Sequence, residues 1–195
     1  MTLVIELKIF LLPHSYLEEL SPDLYGRKGR FVGFRVETAI SIYPLKISLH
    51  IYAMRIESLS HTNLHHINTI ESTFIVDSRL KIKLSDNKFS YEIESVIPYQ
   101  KSYQYENPDY SEYINNISKT VFLAFENEKL AGQIIILKYW SSYAYINDIR
   151  VGMEFRGKGV GKALMHKAIE WAKMNNCIGV EVETQDVNVK ACLFY

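Results

Sequence analysis

The sequence predicts an α/β (α+β) domain built on a mixed central sheet flanked by helices. Three observations point there. Residues 120–151 read as three strand-length runs separated by turns at "NEK" and near "WSS", a meander. A glycine-rich stretch, "EFRGKGVGKALMHKAIEWAK" at 154–173, runs from a turn straight into an amphipathic helix. The alternating "IGVEVET" follows it. Strand, helix and strand in that order make a parallel pair buried beneath the crossover helix.

The elements follow in chain order. Residues 1–53 hold apolar patches and the basic turn "YGRKGR" without a sustained period, so they are expected to form an extension of unknown role. Residues 54–195 are expected to form the domain. "MRIESLS" reads as a short strand, and Ser60 or Thr62 is placed to cap a helix over "HTNLHHINTIEST". "FIVDSRLKIKLSDNKFSYEIESV" is two alternating runs around "SDNK", a hairpin. "PDYSEYINNIS" suggests a short helix, and the meander turns at "NEK" and near "WSS". In the long helix Val160, Leu164, Ala168 and Trp171 share one stripe, with Lys162, Lys167 and Lys173 elsewhere. Asp186 or Asn188 is placed to cap the closing helix "NVKACLFY".

The formal net charge is +0, so global charge points to neither nucleic acid nor membrane as a partner. Cys177 and Cys192 show neither a disulfide framework nor zinc spacing. The opening "MTLVIELKIFLLP" is too short to span a bilayer and lacks the basic start of a signal peptide, while Pro44 and Lys46 break the next apolar run. A reducing cytoplasm is the expected location.

The glycine loop carries the chemistry. A turn opening a helix presents unpaired backbone N–H groups to an anion, aided by the helix dipole. The nucleotide-kinase phosphate loop needs a hydroxyl after its lysine, but Gly159 follows Lys158 here. The dinucleotide fingerprint fails because its third glycine comes one residue early. The pattern [Q/R]-x-x-G-x-[G/A] fits completely, as Arg156, Gly157, Lys158, Gly159, Val160 and Gly161. In this the chain resembles the GNAT superfamily, N-acetyltransferases that use acetyl-coenzyme A. "KSYQ", "WSSYAYINDIRV", "RGKGVGKALMHKAIEWAK" and "ETQDVNVKACLFY" narrow the resemblance to streptothricin acetyltransferases. The match is dense over residues 99–195 and looser from Met54.

The resemblance implies a GNAT fold, acetyl-CoA as co-substrate with no metal, and a small cationic amine as acceptor. Its expected product is an acetylated β-lysine amine of streptothricin, inactivating the antibiotic in a bacterial cytoplasm. It assigns the pyrophosphate to the amides from Gly157 to Gly161 with Lys162, and the pantetheine arm to the strand end at Ile149 and Val151. It gives Asn188 a hydrogen bond to the pantetheine, and Tyr195 the proton for the departing thiolate. Asp148 is the acid expected to attract the cationic amine or take its proton through water; an ion pair with Arg150 is the plain structural alternative. Where the family carries a first acid, this chain has Asn147.

An acidic, aromatic wall would suit a cationic acceptor. Glu92, Glu94, Glu106, Asp109 and Glu112 are its candidates, and Trp140, Tyr143 and Tyr145 its rings. His61 and His65 stand four apart, but a metal would need a third ligand. Cys192 has no patterned base, and direct transfer needs no thiol. The resemblance also implies two further strands beyond Tyr195, so an exposed apolar sheet edge, weak coenzyme A binding and slow turnover are expected of this length of chain, with residues 1–53 dispensable. The rival functions are acetylation of another small-molecule or protein amine, and non-catalytic acyl-CoA binding.

Overall fold

The computed structural model describes residues 54–85, 88–103 and 108–195, together with the backbone of a strand at residues 4–10. All of these belong to one compact unit, and Leu12–Tyr52 form a second unit outside the described residues. In chain order the described elements are β1 (Val4–Phe10), β2 (Arg55–Ser58), β3 (Phe74–Ser85), β4 (Lys88–Lys101), β5 (Lys119–Glu126), β6 (Lys129–Lys138), β7 (Tyr143–Val151), α1 (Val160–Met174), β8 (Gly179–Gln185) and α2 (Val189–Phe194). No helix among the described residues is long and apolar enough to cross a membrane.

Six strands make the main sheet, in the order β1-β8-β7-β6-β5-β2. The meander β5–β6–β7 is antiparallel, and β7 pairs with β8 in parallel across the α1 crossover. The mixed sheet expected from the sequence is therefore the observed one. Strand periodicity explains its two-sided core. Phe122, Ala124, Ile134 and Ile136 point to the face covered by α1, where they meet Val160, Leu164, Ala168 and Trp171. Val121, Leu123, Phe125 and Ile135 point to the other face, onto Leu59, Tyr110 and Tyr113. Both faces are covered, so the central strands read as continuous apolar runs. α1 lies close on the sheet because β6 carries Gly132. A Cβ there would stand 2.9 Å from Leu164 Cδ1 and Val160 Cγ1.

Two predicted helices are single 3-10 turns, Leu64–His66 and Tyr110–Tyr113. Local polar side chains stop them from extending. Asn63 accepts from the Ser60 amide at 2.8 Å and donates to the Ser58 carbonyl at 3.1 Å, and Asn68 takes a positive φ of 60°. Asp109 caps the second turn through the Ser111 amide, and Asn115 ends it at φ 55°. The cap expected from Ser60 or Thr62 is not formed, and Asn63 stands at the turn's start without a side-chain cap bond.

Within the main sheet β8 is not an edge strand. β1 pairs antiparallel along all of β8, from Val4 opposite Gln185 to Phe10 opposite Gly179. The backbone groups of β8 that face away from β7 thus have a partner strand. Separately, β3 and β4 form a two-stranded ribbon. Its base is tied to the β8–α2 loop by Leu80 N–H donating to the Asp186 carbonyl at 2.9 Å and by an Arg79–Asp186 ion pair at 3.3 Å.

Candidate active site

The site arises where two parallel strands part. β7 and β8 pair only from Tyr143–Gly179 to Ile146–Val182, although β7 continues to Val151 and β8 to Gln185. At the parting point β7 carries a bulge. Ile135 and Ile136 of β6 face Asp148 and Ile146, which leaves Asn147 as the extra residue. Beyond it the two strands border a cleft of about 1250 Å³. Ile149 and Val151 line one wall, the glycine loop one end, and Asn188 and Tyr195 of the α2 region the other wall.

The loop is built to leave amides free. Gly157 and Gly159 hold φ of 76° and 87°, the left-handed region that side chains disfavour. Gly159 stands at the N-terminus of α1 without a side-chain cap, and no acidic residue occupies the first turn. The first-turn amides of α1 therefore have no acceptor within the helix. Arg156, Gly157, Gly159, Val160, Gly161 and Lys162 all border the cleft. Arg156 Nε donates to the Val151 carbonyl at 3.2 Å, which ties the loop to the end of β7. Lys158 is turned differently: its ammonium lies 5.5 Å over the Phe155 ring, and its amide donates back to the Phe155 carbonyl at 3.4 Å.

Asp148 sits in the cleft's floor with a 4% exposed surface. Arg150 Nε lies 2.9 Å from its Oδ2, and Gln133 Nε2 donates to the same oxygen at 2.7 Å. Residues two apart on a strand share a face, which brings Asp148 and Arg150 together. Gln133 in turn accepts from the Asn68 amide at 2.9 Å, and Asn68 Nδ2 donates to the Tyr110 hydroxyl at 3.2 Å. Arg150 also donates to the Ile70 carbonyl at 3.2 Å. This network joins the two polar turns to the strand bulge. Sequence reading missed Gln133 and Asn68 altogether; a glutamine inside the apolar run "LAGQIIIL" was the available signal.

Asn188 caps α2 through Ala191 N–H at 3.3 Å, and its Nδ2 donates to the Tyr103 hydroxyl at 3.3 Å. Tyr195 packs against the core beneath α1. Burial, and then the neighbouring Asp148, push its phenol far above the ordinary value, so it keeps its proton. Burial likewise raises the Tyr103 phenol and the Cys192 thiol. A protonated Cys192, whose Sγ lies 3.4 Å from the Gln185 carbonyl, is a poor nucleophile.

The expected acidic wall is rearranged. Glu92 and Glu94 pair with Lys83 and Lys81 on the outer face of the ribbon. Glu112 pairs with Lys119 at 2.6 Å, and Asp109 is the cap already described. Glu106 lies outside the described residues. Among the described residues, the carboxylate side chains that border the cleft are instead Glu71, Asp77, Asp148 and Glu183. Of the candidate rings, Tyr145 borders the cleft, Tyr143 is buried and Trp140 is 94% exposed. No group of three potential metal ligands occurs among the described residues, and His61 and His65 do not share a helix.

Comparison with known proteins agrees with this geometry. The profile of the Acetyltransferase (GNAT) family matches residues 87–195. Streptothricin acetyltransferase A of Bacillus subtilis (strain 168) is 39% identical over 141 residues, covering 72% of this chain and 81% of the relative. A streptothricin acetyltransferase from Escherichia coli is 34% identical over 125 residues, 64% of this chain and 68% of its own. Among solved structures, a candidate streptothricin acetyltransferase from Bacillus anthracis str. Ames, in complex with acetyl coenzyme A, superposes with a TM-score of 0.66 at 38% identity, covering 74% of this chain and 79% of that one. Nourseothricin acetyltransferase gives 0.58 at 25% identity, with 73% and 80% covered. With a splayed parallel pair, a glycine loop at its mouth and more than half its length matched by the family profile, the chain belongs to the GNAT family of acetyltransferases.

Proposed function

We propose that the chain transfers the acetyl group of acetyl-coenzyme A to an amine of streptothricin, on its β-lysine moiety, and so inactivates the antibiotic in a bacterial cytoplasm. One observation carries this reading: a single cleft joins the free amides of the glycine loop to the protonated phenol of Tyr195 and to four carboxylate residues. The names of the relatives in Bacillus subtilis and Escherichia coli support the choice of acceptor.

In this proposal the Gly157–Gly161 amides and Lys162 hold the pyrophosphate, with Arg156 bracing the loop and Lys158 adding charge beside it. The β7 backbone at Ile149 and Val151 guides the pantetheine arm, and Asn188 hydrogen-bonds it. Such fixing of both reactants supplies much of the rate. The neutral amine attacks the thioester carbon, and a tetrahedral oxyanion forms. The carbon–sulfur bond then breaks, and the thiolate takes the proton of Tyr195. The ammonium loses one proton to solvent before attack and the nitrogen a second one after it, and the Tyr195 phenolate regains its proton from solvent. Asp148 supplies negative charge in the floor, drawing a cationic amine while keeping the phenol protonated.

The test is thiol release from acetyl-coenzyme A with streptothricin, an aminoglycoside and a lysine peptide offered separately. Turnover with streptothricin alone is the expected result. Turnover only with another amine would transfer the chain to a different acceptor. Coenzyme A binding without turnover on any amine would make it an acyl-CoA binding module.

A further inference from the structure

Tyr103 follows the end of β4 and borders the cleft with Thr184, Asn188 and Tyr195. Its ring packs on Phe74, the first residue of β3, with centroids 5.4 Å apart. Phe74 faces Lys101 in the ribbon's register, so the two strands hold the ring together. The Tyr103 hydroxyl accepts from Asn188 Nδ2 at 3.3 Å and also hydrogen-bonds the Thr184 side chain. Thr184 is buried near the end of β8, and Asn188 opens α2. One phenol thus bridges both ends of the turn between them. That turn is closed by Asn188 N–H donating to the Gln185 carbonyl at 2.8 Å.

The bridge decides what Asn188 still offers to a ligand. A side-chain amide has two donor hydrogens and two acceptor lone pairs. Ala191 N–H takes one Oδ1 lone pair at 3.3 Å, and Tyr103 takes one Nδ2 hydrogen. One hydrogen and one lone pair remain, on a residue that borders the cleft. A secondary amide in an extended arm presents the matching pair, one carbonyl and one N–H. The last torsion of an asparagine side chain is broad, so the Ala191 bond alone holds the amide plane loosely. A second bond, to Tyr103, fixes it. We infer that Tyr103 is a positioning residue, whose hydroxyl sets the Asn188 amide in the orientation that receives the pantetheine arm of acetyl-coenzyme A. The inference rests on the reading of Asn188 proposed above. Burial, the largest influence on the Tyr103 phenol, raises it, so the hydroxyl stays neutral and brings no charge beside the arm. Tyr103 also lies near enough to Tyr195 to push that phenol upward, so a share in proton supply is the outcome the test must separate.

The experiment is calorimetry of acetyl-coenzyme A on the full chain, on Tyr103→Phe, on Asn188→Ala and on the double variant. Tyr103→Phe keeps the ring on Phe74 and removes only the hydroxyl. Its dissociation constant should rise about fivefold, and that of Asn188→Ala about tenfold, the range of a lost hydrogen bond. The double variant should bind no more weakly than Asn188→Ala, because the hydroxyl acts only through that side chain. Adenosine 3′,5′-bisphosphate, which lacks the pantetheine arm, should bind all four proteins alike. Thiol release on the same proteins gives kcat. Multiplied losses in the double variant would overturn the inference, since Tyr103 would then touch the ligand itself. An equal loss for the bisphosphate would overturn it too, as the mark of a general disturbance of the fold. So would a loss confined to kcat, which would place the hydroxyl on the proton path of Tyr195. If Asn188→Ala weakens acetyl-coenzyme A binding and Tyr103→Phe does not, the inference alone fails. If Asn188→Ala binds as wild type does, the reading of Asn188 fails first and the inference with it.

Discussion

Gln133 donates to Asp148 across 2.7 Å inside the central sheet, where Gln133 has no exposed surface. Arg150 Nε meets the same carboxylate oxygen at 2.9 Å. The ion pair with Arg150 that the sequence offered as the structural alternative is thus formed, and the acid is engaged on two sides. Removing one member of a buried pair leaves the other uncompensated, at a cost of about 3–5 kcal/mol. Asp148→Asn and Arg150→Met should each lower stability to that degree in urea titration. The double variant should lose clearly less than the sum. Additive losses would mean that the pair is not coupled. Streptothricin kcat/KM measured on folded Asp148→Asn then separates a charge role from a structural one.

Gly159 has room for a Cβ, with no atom within 4 Å, but its φ of 87° disfavours any side chain. Gly159→Ala should therefore cost about 1 kcal/mol of stability through strain alone. A methyl group beside the free amides should also weaken coenzyme A binding by at least about tenfold, a loss of ~1.4 kcal/mol. Calorimetry checks the second effect and chemical denaturation the first. Unchanged affinity would remove the loop from the binding site.

Tyr195→Phe deletes the proposed proton donor while keeping the packed ring. Thiol-release kcat should fall by about a hundredfold or more, with acetyl-coenzyme A affinity nearly unchanged. The same phenol links folding to pH. Its folded-state value is raised, so its contribution to stability is fully present below pH ~10 and is lost as pH rises through the folded value. Tyr145, pushed by burial up to about 12, acts in the same direction. Alkaline melting curves should thus decline above pH ~10, less steeply in Tyr195→Phe.

The β1–β8 pairing gives the N-terminal segment a definite task. Deleting residues 1–11 would strip the partner strand from β8 along seven register pairs. An unpaired edge invites association with other chains. The variant should melt at lower temperature and aggregate sooner, read by scanning calorimetry and light scattering. If deletion leaves both unchanged, β1 contributes nothing to the sheet.

Gly132→Ala tests the seating of α1. The added Cβ would meet Leu164 and Val160 at 2.9 Å and the Arg150 carbonyl at 3.0 Å. Moving a packed helix off its sheet costs about 1–3 kcal/mol. The displacement would also shift the glycine loop, so coenzyme A affinity should fall together with stability.

The sequence by itself determined the local pieces. Alternation at period two marked the hairpin and β8, short apolar runs between turns marked the meander, and a period near 3.6 marked α1, because burial is written into residue spacing. The glycine spacing marked the anion loop, because an uncapped turn with positive φ tolerates little else. Tertiary structure decided whatever depends on residues far apart in the chain. Only the fold set Gln133 beside Asp148, 15 positions away, and Asn68 beside Gln133, 65 away. It assigned Glu92 and Glu94 to lysines, and brought Glu71, Asp77 and Glu183 to the cleft in their place. It also laid β1 along β8, across a separation of about 175 residues that no local period encodes. A carboxylate looks the same in a sequence whether it faces water, a lysine or a substrate. Its partner is fixed only when packing selects which distant side chains share a dry interior.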